Sequence, residues 1–190
     1  MTTFNLAKPE TPWVVFGPRE AVEFTEQTAA LSAAGGRVYE LDARDLTGEV
    51  GVCEAFARVV GVPGYFGWNW DALVDRLDDT HEAITGGVGL VMVVHGADVL
   101  LGAEHLKVFM TTLCLAADRA NTEVDPDGNL RDEPVVIEHF VFLLDKVRAE
   151  EFAARIEDPD LVVRVKDDFL TVALDLDAWR PDPAGRPKAS

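Results

Sequence analysis

Between Gly64 and Asp79 this 190-residue chain places aromatic rings and carboxylates in close succession. Tyr65, Phe66, Trp68 and Trp70 put four aromatics into six residues of a protein that is only 8% aromatic, and Asp71, Asp75, Asp78 and Asp79 follow. Clustered carboxylates can serve as general bases or metal ligands, or can stand as fixed negative charges for a cationic partner. Gly64 and Gly67 flank Tyr65-Phe66, so that end reads as a tight loop, and a helix can run from Trp68 to Asp79. At about 100° per residue, with Asp71 at zero, Asp75 falls near ~40°, Asp78 near ~−20° and Asp79 near ~80°. Leu73 and Leu77 fall near ~200° and ~240°, on the opposite side. The four carboxylates share one exposed arc while the leucines anchor the helix. Asp is a poor residue for a helix interior and like charges four apart repel, so the arrangement carries a folding cost. It is either a solvated acidic face or a docking surface for a cationic cleft, where fixed carboxylates beside an aromatic loop imitate phosphates flanking a base.

The other chemistry-bearing residues do not assemble a site. His81, His95, His105 and His139 share no metal-ligand spacing, and His81-Glu82 lacks the second His four residues on that a helical zinc site needs. Gly61, Gly64 and Gly67 are followed by no Lys-Ser/Thr to hold phosphate. Gly86-Gly87-Val88-Gly89 leads into a strand rather than out of one, the wrong order for a dinucleotide loop. Asp125-Pro126-Asp127-Gly128-Asn129 has its Gly too early for a calcium loop and reads as a plain turn. Cys53 and Cys114 are isolated in apolar helical patterns, forming neither a disulfide framework nor a metal pair. An enzyme using Asp71 or Asp75 as general base or metal ligand is disfavoured, because no His or second carboxylate cluster completes a site. No catalytic residue, metal or cofactor is expected.

The elements that position this segment follow from periodicity. Trp13 to Phe16 reads as a strand closed by Gly17-Pro18, and Arg19 to Ala34 as a helix with Ala21, Phe24, Thr28 and Leu31 on one stripe. Arg37 to Leu41 is a strand. The helix from Glu49 carries Val52, Phe56 and Val59 inward and stops near Gly61-Val62-Pro63. Val88 to Val94 and Phe140 to Leu144 are apolar on both faces, the mark of central, largely parallel strands. Between them a helix spans about 103–119, with Leu106, Phe109, Met110, Leu113 and Ala117 at 3–4 spacing. Asn121 to Pro134 reads as a polar loop. Asp145 to Glu157 is a further helix, and Leu161 to Lys166 with Phe169 to Asp175 a hairpin turning at Asp167-Asp168. Strands alternating with helices indicate α/β.

Charge narrows the partners. Lys+Arg number 17 against 34 Asp+Glu, a formal net charge of −17, and the basic residues are scattered singly. Direct binding of nucleic acid or of an anionic membrane is therefore not expected. Residues 1–12 lack the charged start and apolar run of a secretory signal, and Val88–Val94 is too short to span a bilayer, so a cytoplasmic protein is expected.

The string Tyr65-Phe66-Gly67-x-Asn69-x-Asp71-Ala72-Leu73-x-Asp75-x-Leu77 resembles the signature of the barstar family, intracellular inhibitors of secreted bacterial ribonucleases. The Leu41-Asp42-Ala43-Arg44-Asp45 strand exit, the Glu49–Val60 helix and the later strand–helix–strand elements fit as well, over about residues 37–145. The resemblance implies a small α/β fold, with a three-stranded parallel sheet and helices packed on it, whose motif loop and helix plug the ribonuclease active site. By position, Tyr65 matches the contacting aromatic, Gly67 a backbone contact, Asp71 the first acidic contact and Asp75 the dominant aspartate in the enzyme's phosphate pocket. Asn69 matches a loop-to-helix junction residue that is either structural or contacting. Val74 stands where some members carry an aromatic just before the dominant aspartate, and Trp68 and Trp70 can supply aromatic area instead. Phe66 and Asp78 complete the expected partner-binding set. A further acidic contact has its nearest candidates in Glu104 and Asp118.

The expected organisation is an N-terminal arm, strand and helix over 1–36, a core over 37–145, a helix and hairpin over 146–180, and a disordered tail over 181–190. The expected partner is a basic extracellular ribonuclease, bound by a monomer. The alternative is an immunity protein that uses the same face against a different toxin nuclease.

Overall fold

The computed structural model describes residues 4–60, 69–84, 88–122, 130 and 135–179, the side chains of 78–84 excepted. The polar turn at 125–129, the loop 85–87 and the tail after 179 lie outside the described residues.

Val14-Val15-Phe16 opens strand β1 (Val14–Pro18), and Pro18 turns the chain through an Ala21 N–H to Pro18 carbonyl bond into α1 (Val22–Ala33). The helix therefore starts three residues later than its periodicity predicts. β2 (Arg37–Asp42) and α2 (Glu49–Val60) follow, then α3 (Trp70–Ile84), β3 (Gly89–His95), α4 (Leu106–Asn121) and β4 (Ile137–Leu144). α5 (Ala149–Ile156) and the hairpin β5 (Leu161–Lys166) and β6 (Phe169–Leu174) complete the main elements. Two further helices, α4 and α5, also start later than predicted, each for a visible reason. Ala97–Gly102 forms a 3-10 turn ahead of α4. The Asp98 carboxylate accepts the Asp145, Lys146 and Val147 N–H groups, which holds that stretch out of α5.

Among the described residues the strands form one sheet in the order β2-β3-β4-β1-β6-β5. β2, β3, β4 and β1 run parallel, while β6 is antiparallel to both β1 and β5. The expected three-stranded parallel core is thus β2-β3-β4. The N-terminal strand inserts beside β4, and the hairpin continues the same sheet.

Side chains alternate across the central strands. Phe16, Leu90, Met92, Phe140, Phe142 and Leu170 face one layer, where α2, α3, α4 and α5 supply Phe56, Leu77, Phe109, Leu113 and Phe152. Val15, Val91, Val93, Val141 and Leu143 face the other, covered by Phe24 and Leu31 of α1 and by Phe4 and Leu6. Burial on both faces explains why β3 and β4 read as unbroken apolar runs.

The N-terminal arm is more tightly held than its composition suggests. The Gln27 side chain accepts from the Leu6 N–H and donates to the Phe4 carbonyl, while the Phe4 ring packs on Phe24 and Phe169. The buried His139 ring faces the Pro12 carbonyl at 3.0 Å and the Lys8 carbonyl at 2.8 Å.

At Gly89 a side chain is forbidden twice over. Its φ is +149°, and a Cβ there would lie 2.4 Å from the Ile137 Cβ and 2.5 Å from the Ile137 oxygen. The glycine predicted only to lead into β3 is what lets β3 and β4 approach at their first pair. No helix among the described residues is long and apolar enough to cross a membrane.

Candidate functional site

The acidic face is built on α3, and the chain fixes the start of that helix with its own side chains. Asn69 is the N-cap: its Oδ1 accepts the Ala72 N–H at 2.8 Å. The Glu49 carboxylate, from the first turn of α2, accepts the Trp70 N–H at 3.0 Å. Two of the N–H groups that a helix start leaves unpaired are thereby satisfied, one of them by a neighbouring helix.

Glu49 is itself positioned by the strand exit before it. Asp42 accepts the Arg44 N–H and pairs with the Arg44 guanidinium, which holds its carboxyl well below the usual carboxylate range. The resulting 3-10 turn, Ala43–Asp45, is tied to α2 by an Arg58–Asp45 ion pair at 3.0 Å. The Leu41-to-Asp45 strand exit thus sets the position of the α2–α3 unit.

The faces of α3 divide as the angular arithmetic requires. Leu73 and Leu77 are buried, and Asp71 and Asp75 are exposed on the opposite arc. Val74, expected in the contact set, faces inward in the free chain. It is 4% exposed and packs in the core, because at about 300° on the wheel it borders the leucine stripe. Trp70 likewise turns its ring inward. It stacks on His105 at 5.9 Å and packs against Phe109 at the same distance, so it anchors the helix more than it enlarges the outer face.

His105 belongs to the framework. A carbonyl can only accept, so His105 Nε2–H donates to the Leu46 oxygen at 3.1 Å, joining the start of α4 to the turn before α2. Tyr65, Phe66, Gly67 and Trp68 lie outside the described residues, and Asp78 is described only as part of the α3 backbone. The backbone bracketing that loop, Val60 and Asn69, is set by α2 and by the cap.

Arg119, on α4, brings a cation to this face. Its guanidinium lies 3.4 Å from the Asp75 carboxylate, whose side chain is 74% exposed. No pattern in the sequence points to Arg119, Glu49 or His105 here, since each acts through a contact between separate elements. Glu104, just before α4, is exposed, and Asp118 on α4 is half-buried.

Cys53, beside the cap, points its thiol at the Asn69 carbonyl at 3.7 Å. Burial first, and the Glu49 charge second, push that thiol up to about 11, so it stays protonated. Burial also raises the Cys114 thiol. Among the described residues no three His, Cys, Asp or Glu side chains cluster so as to hold a metal ion. α3 displays Asp71 and Asp75 outward while Leu73, Val74 and Leu77 pack its inner side into the core.

The family model described as barstar (barnase inhibitor) matches residues 36–141, from the glycine before β2 into β4 and across the whole α2–α3 unit. No curated protein and no solved structure matches the chain. The matched span is more than half of the 190 residues and contains the capped acidic helix, so this chain is a member of the barstar family.

Proposed function

We propose that this chain inhibits a basic bacterial ribonuclease, of the kind named in the family's description, by inserting the acidic arc of α3 and the aromatic loop before it into the enzyme's active site. The observation that carries the reading is the exposure of Asp71 and Asp75 on one arc of a helix whose opposite side is buried and whose start is capped by Asn69 and Glu49. Carboxylates held on a fixed scaffold are presented to cations without further ordering cost, which is the form of electrostatic complementarity that speeds encounter and fixes register. Asp75 takes the dominant place in the phosphate-binding pocket, Asp71 a supporting one, and Tyr65, Phe66, Gly67 and Trp68 the surface beside it. Inhibition is by occlusion, with no reaction on the inhibitor. The protein acts in the cytoplasm of the cell that makes the nuclease, as a monomer.

Two observations favour a target other than barnase itself. Val74, where some members carry an aromatic, is buried, and Arg119 stands beside Asp75. Both alter the face at its centre, so an immunity role against a different toxin nuclease uses the same helix with a changed partner.

The test is to titrate the protein into a panel of basic bacterial ribonucleases, barnase included, and into toxin nucleases that cleave DNA, following RNA or DNA cleavage. Loss of activity at one equivalent for at least one enzyme is expected. A panel untouched at micromolar protein refutes the ribonuclease reading, and inhibition of a toxin nuclease that cleaves DNA transfers the face to that second target.

A further inference from the structure

We infer that Arg119 is a specificity-setting residue of the docking face: it occupies Asp75 in the free protein and disfavours partners that crowd cations around that carboxylate. The inference rests on the reading of α3 as the docking helix and concerns how that helix selects its partner.

The geometry has three parts. Asp75 is an exposed carboxylate of the arc, its side chain 74% exposed, and the Arg119 Nη1 lies 3.4 Å from its Oδ1. That separation is longer than the 2.7–2.9 Å usual for charge-assisted hydrogen bonds, so the pair is loose and an incoming cation can take its place. The two residues come from different helices, α3 and α4, which pack against each other. When displaced, the guanidinium therefore stays tethered at the rim.

In the free protein the cation relieves the repulsion between Asp71 and Asp75, four residues apart on one face. In a complex the same cation faces the partner's positive groups. Two like charges about 6 Å apart at a largely solvated rim weaken binding by a factor of about 3 to 10. A partner that offers Asp75 a single dominant cation avoids most of this cost, and one with several cations converging there meets it in full. Arg119 thus works by repulsion, which is how specificity is gained without a new attractive contact.

The experiment compares wild type, Arg119→Gln, Asp75→Asn and the double variant for binding, by stopped-flow and equilibrium titration, to a basic ribonuclease that the wild type inhibits and whose phosphate site gathers several cations. Arg164→Gln on β5 is the control for a general loss of one positive charge. Arg119→Gln is expected to tighten binding about 3- to 10-fold, with a Tm no more than about 4 °C below wild type. The gain should vanish in the Asp75→Asn background, and Arg164→Gln should change affinity less than 2-fold. If no basic ribonuclease of the panel is bound, or if Asp75→Asn binds as well as wild type, the docking reading itself fails and this inference falls with it. If Asp75→Asn weakens binding while Arg119→Gln leaves it unchanged or weaker, the docking reading stands and the role of Arg119 is refuted. A gain that persists without the Asp75 charge, or that Arg164→Gln reproduces, also refutes it.

Discussion

Replacing Asn69 by alanine removes the acceptor that holds the Ala72 N–H at the first turn of α3. The Glu49 bond to the Trp70 N–H remains, so the helix start loses one of its two side-chain caps. Loss of an Asn cap costs about 1 kcal/mol, within a range of about 0.5–2. For a chain of this size 1 kcal/mol corresponds to about 2–4 °C in Tm. Urea unfolding followed by far-UV circular dichroism should show the midpoint of Asn69→Ala shifted down with an unchanged slope, since the surface exposed on unfolding is the same. Asn69→Asp is the informative companion. It keeps the acceptor oxygen and adds a negative charge at the positive end of the helix, so its stability at pH 7 should equal or exceed wild type. An unchanged midpoint for Asn69→Ala, or an Asn69→Asp variant as unstable as the alanine one, would refute the cap as what fixes the acidic helix.

Two further expectations bear on the core beneath the site. Val74→Phe should destabilise the fold by about 1–3 kcal/mol in the same urea assay, because the added ring must enter a filled core; a neutral effect would return position 74 to the surface. Burial lowers the His139 pKa below its usual value of 6.5, opposed by the Lys8 and Pro12 carbonyls and by the charge of Glu10. Below pH 6.5 the unfolded chain then binds a proton that the folded one refuses, so stability falls as pH falls, by up to about 1.4 kcal/mol per pH unit. Urea midpoints between pH 7.5 and 5 should show this loss in wild type and a smaller one in His139→Gln. Equal slopes in the two proteins would exclude His139 as its source.

The fold was legible where burial and periodicity coincide. Val88–Val94 and Phe140–Leu144 can be apolar throughout only if both faces are covered, and Leu106, Phe109, Met110, Leu113 and Ala117 of α4 are all buried as their spacing required. The α3 wheel separated Asp71 and Asp75 from Leu73 and Leu77 correctly. It could not decide Val74, which lies at the margin of the buried stripe, and although it sets Trp70 near ~260° on the leucine side, what that ring meets is determined by the neighbouring elements. For Trp70 these are His105 and Phe109, brought in by α4. Phe4 and Leu6 were hidden among prolines and polar residues, because their burial depends on α1 and on Phe169 rather than on any local pattern. Arg119 is the same case at the site itself. A lone arginine late in an amphipathic helix carries no sign that its guanidinium meets Asp75 on the helix beside it.

The proposal that α3 is the docking face is tested most directly by the dissociation constant of Asp75→Ala against its wild type, measured on whichever ribonuclease the wild type inhibits. Glu150→Gln on α5, away from α3, removes the same charge and serves as reference. Asp75→Ala should weaken binding by about 30-fold or more, the scale of a buried hot-spot contact of 2 kcal/mol or above, and Glu150→Gln by less than 2-fold. Equal effects of the two substitutions would show that the acidity of the chain acts only as a general field, and would contradict a docking face at Asp71 and Asp75.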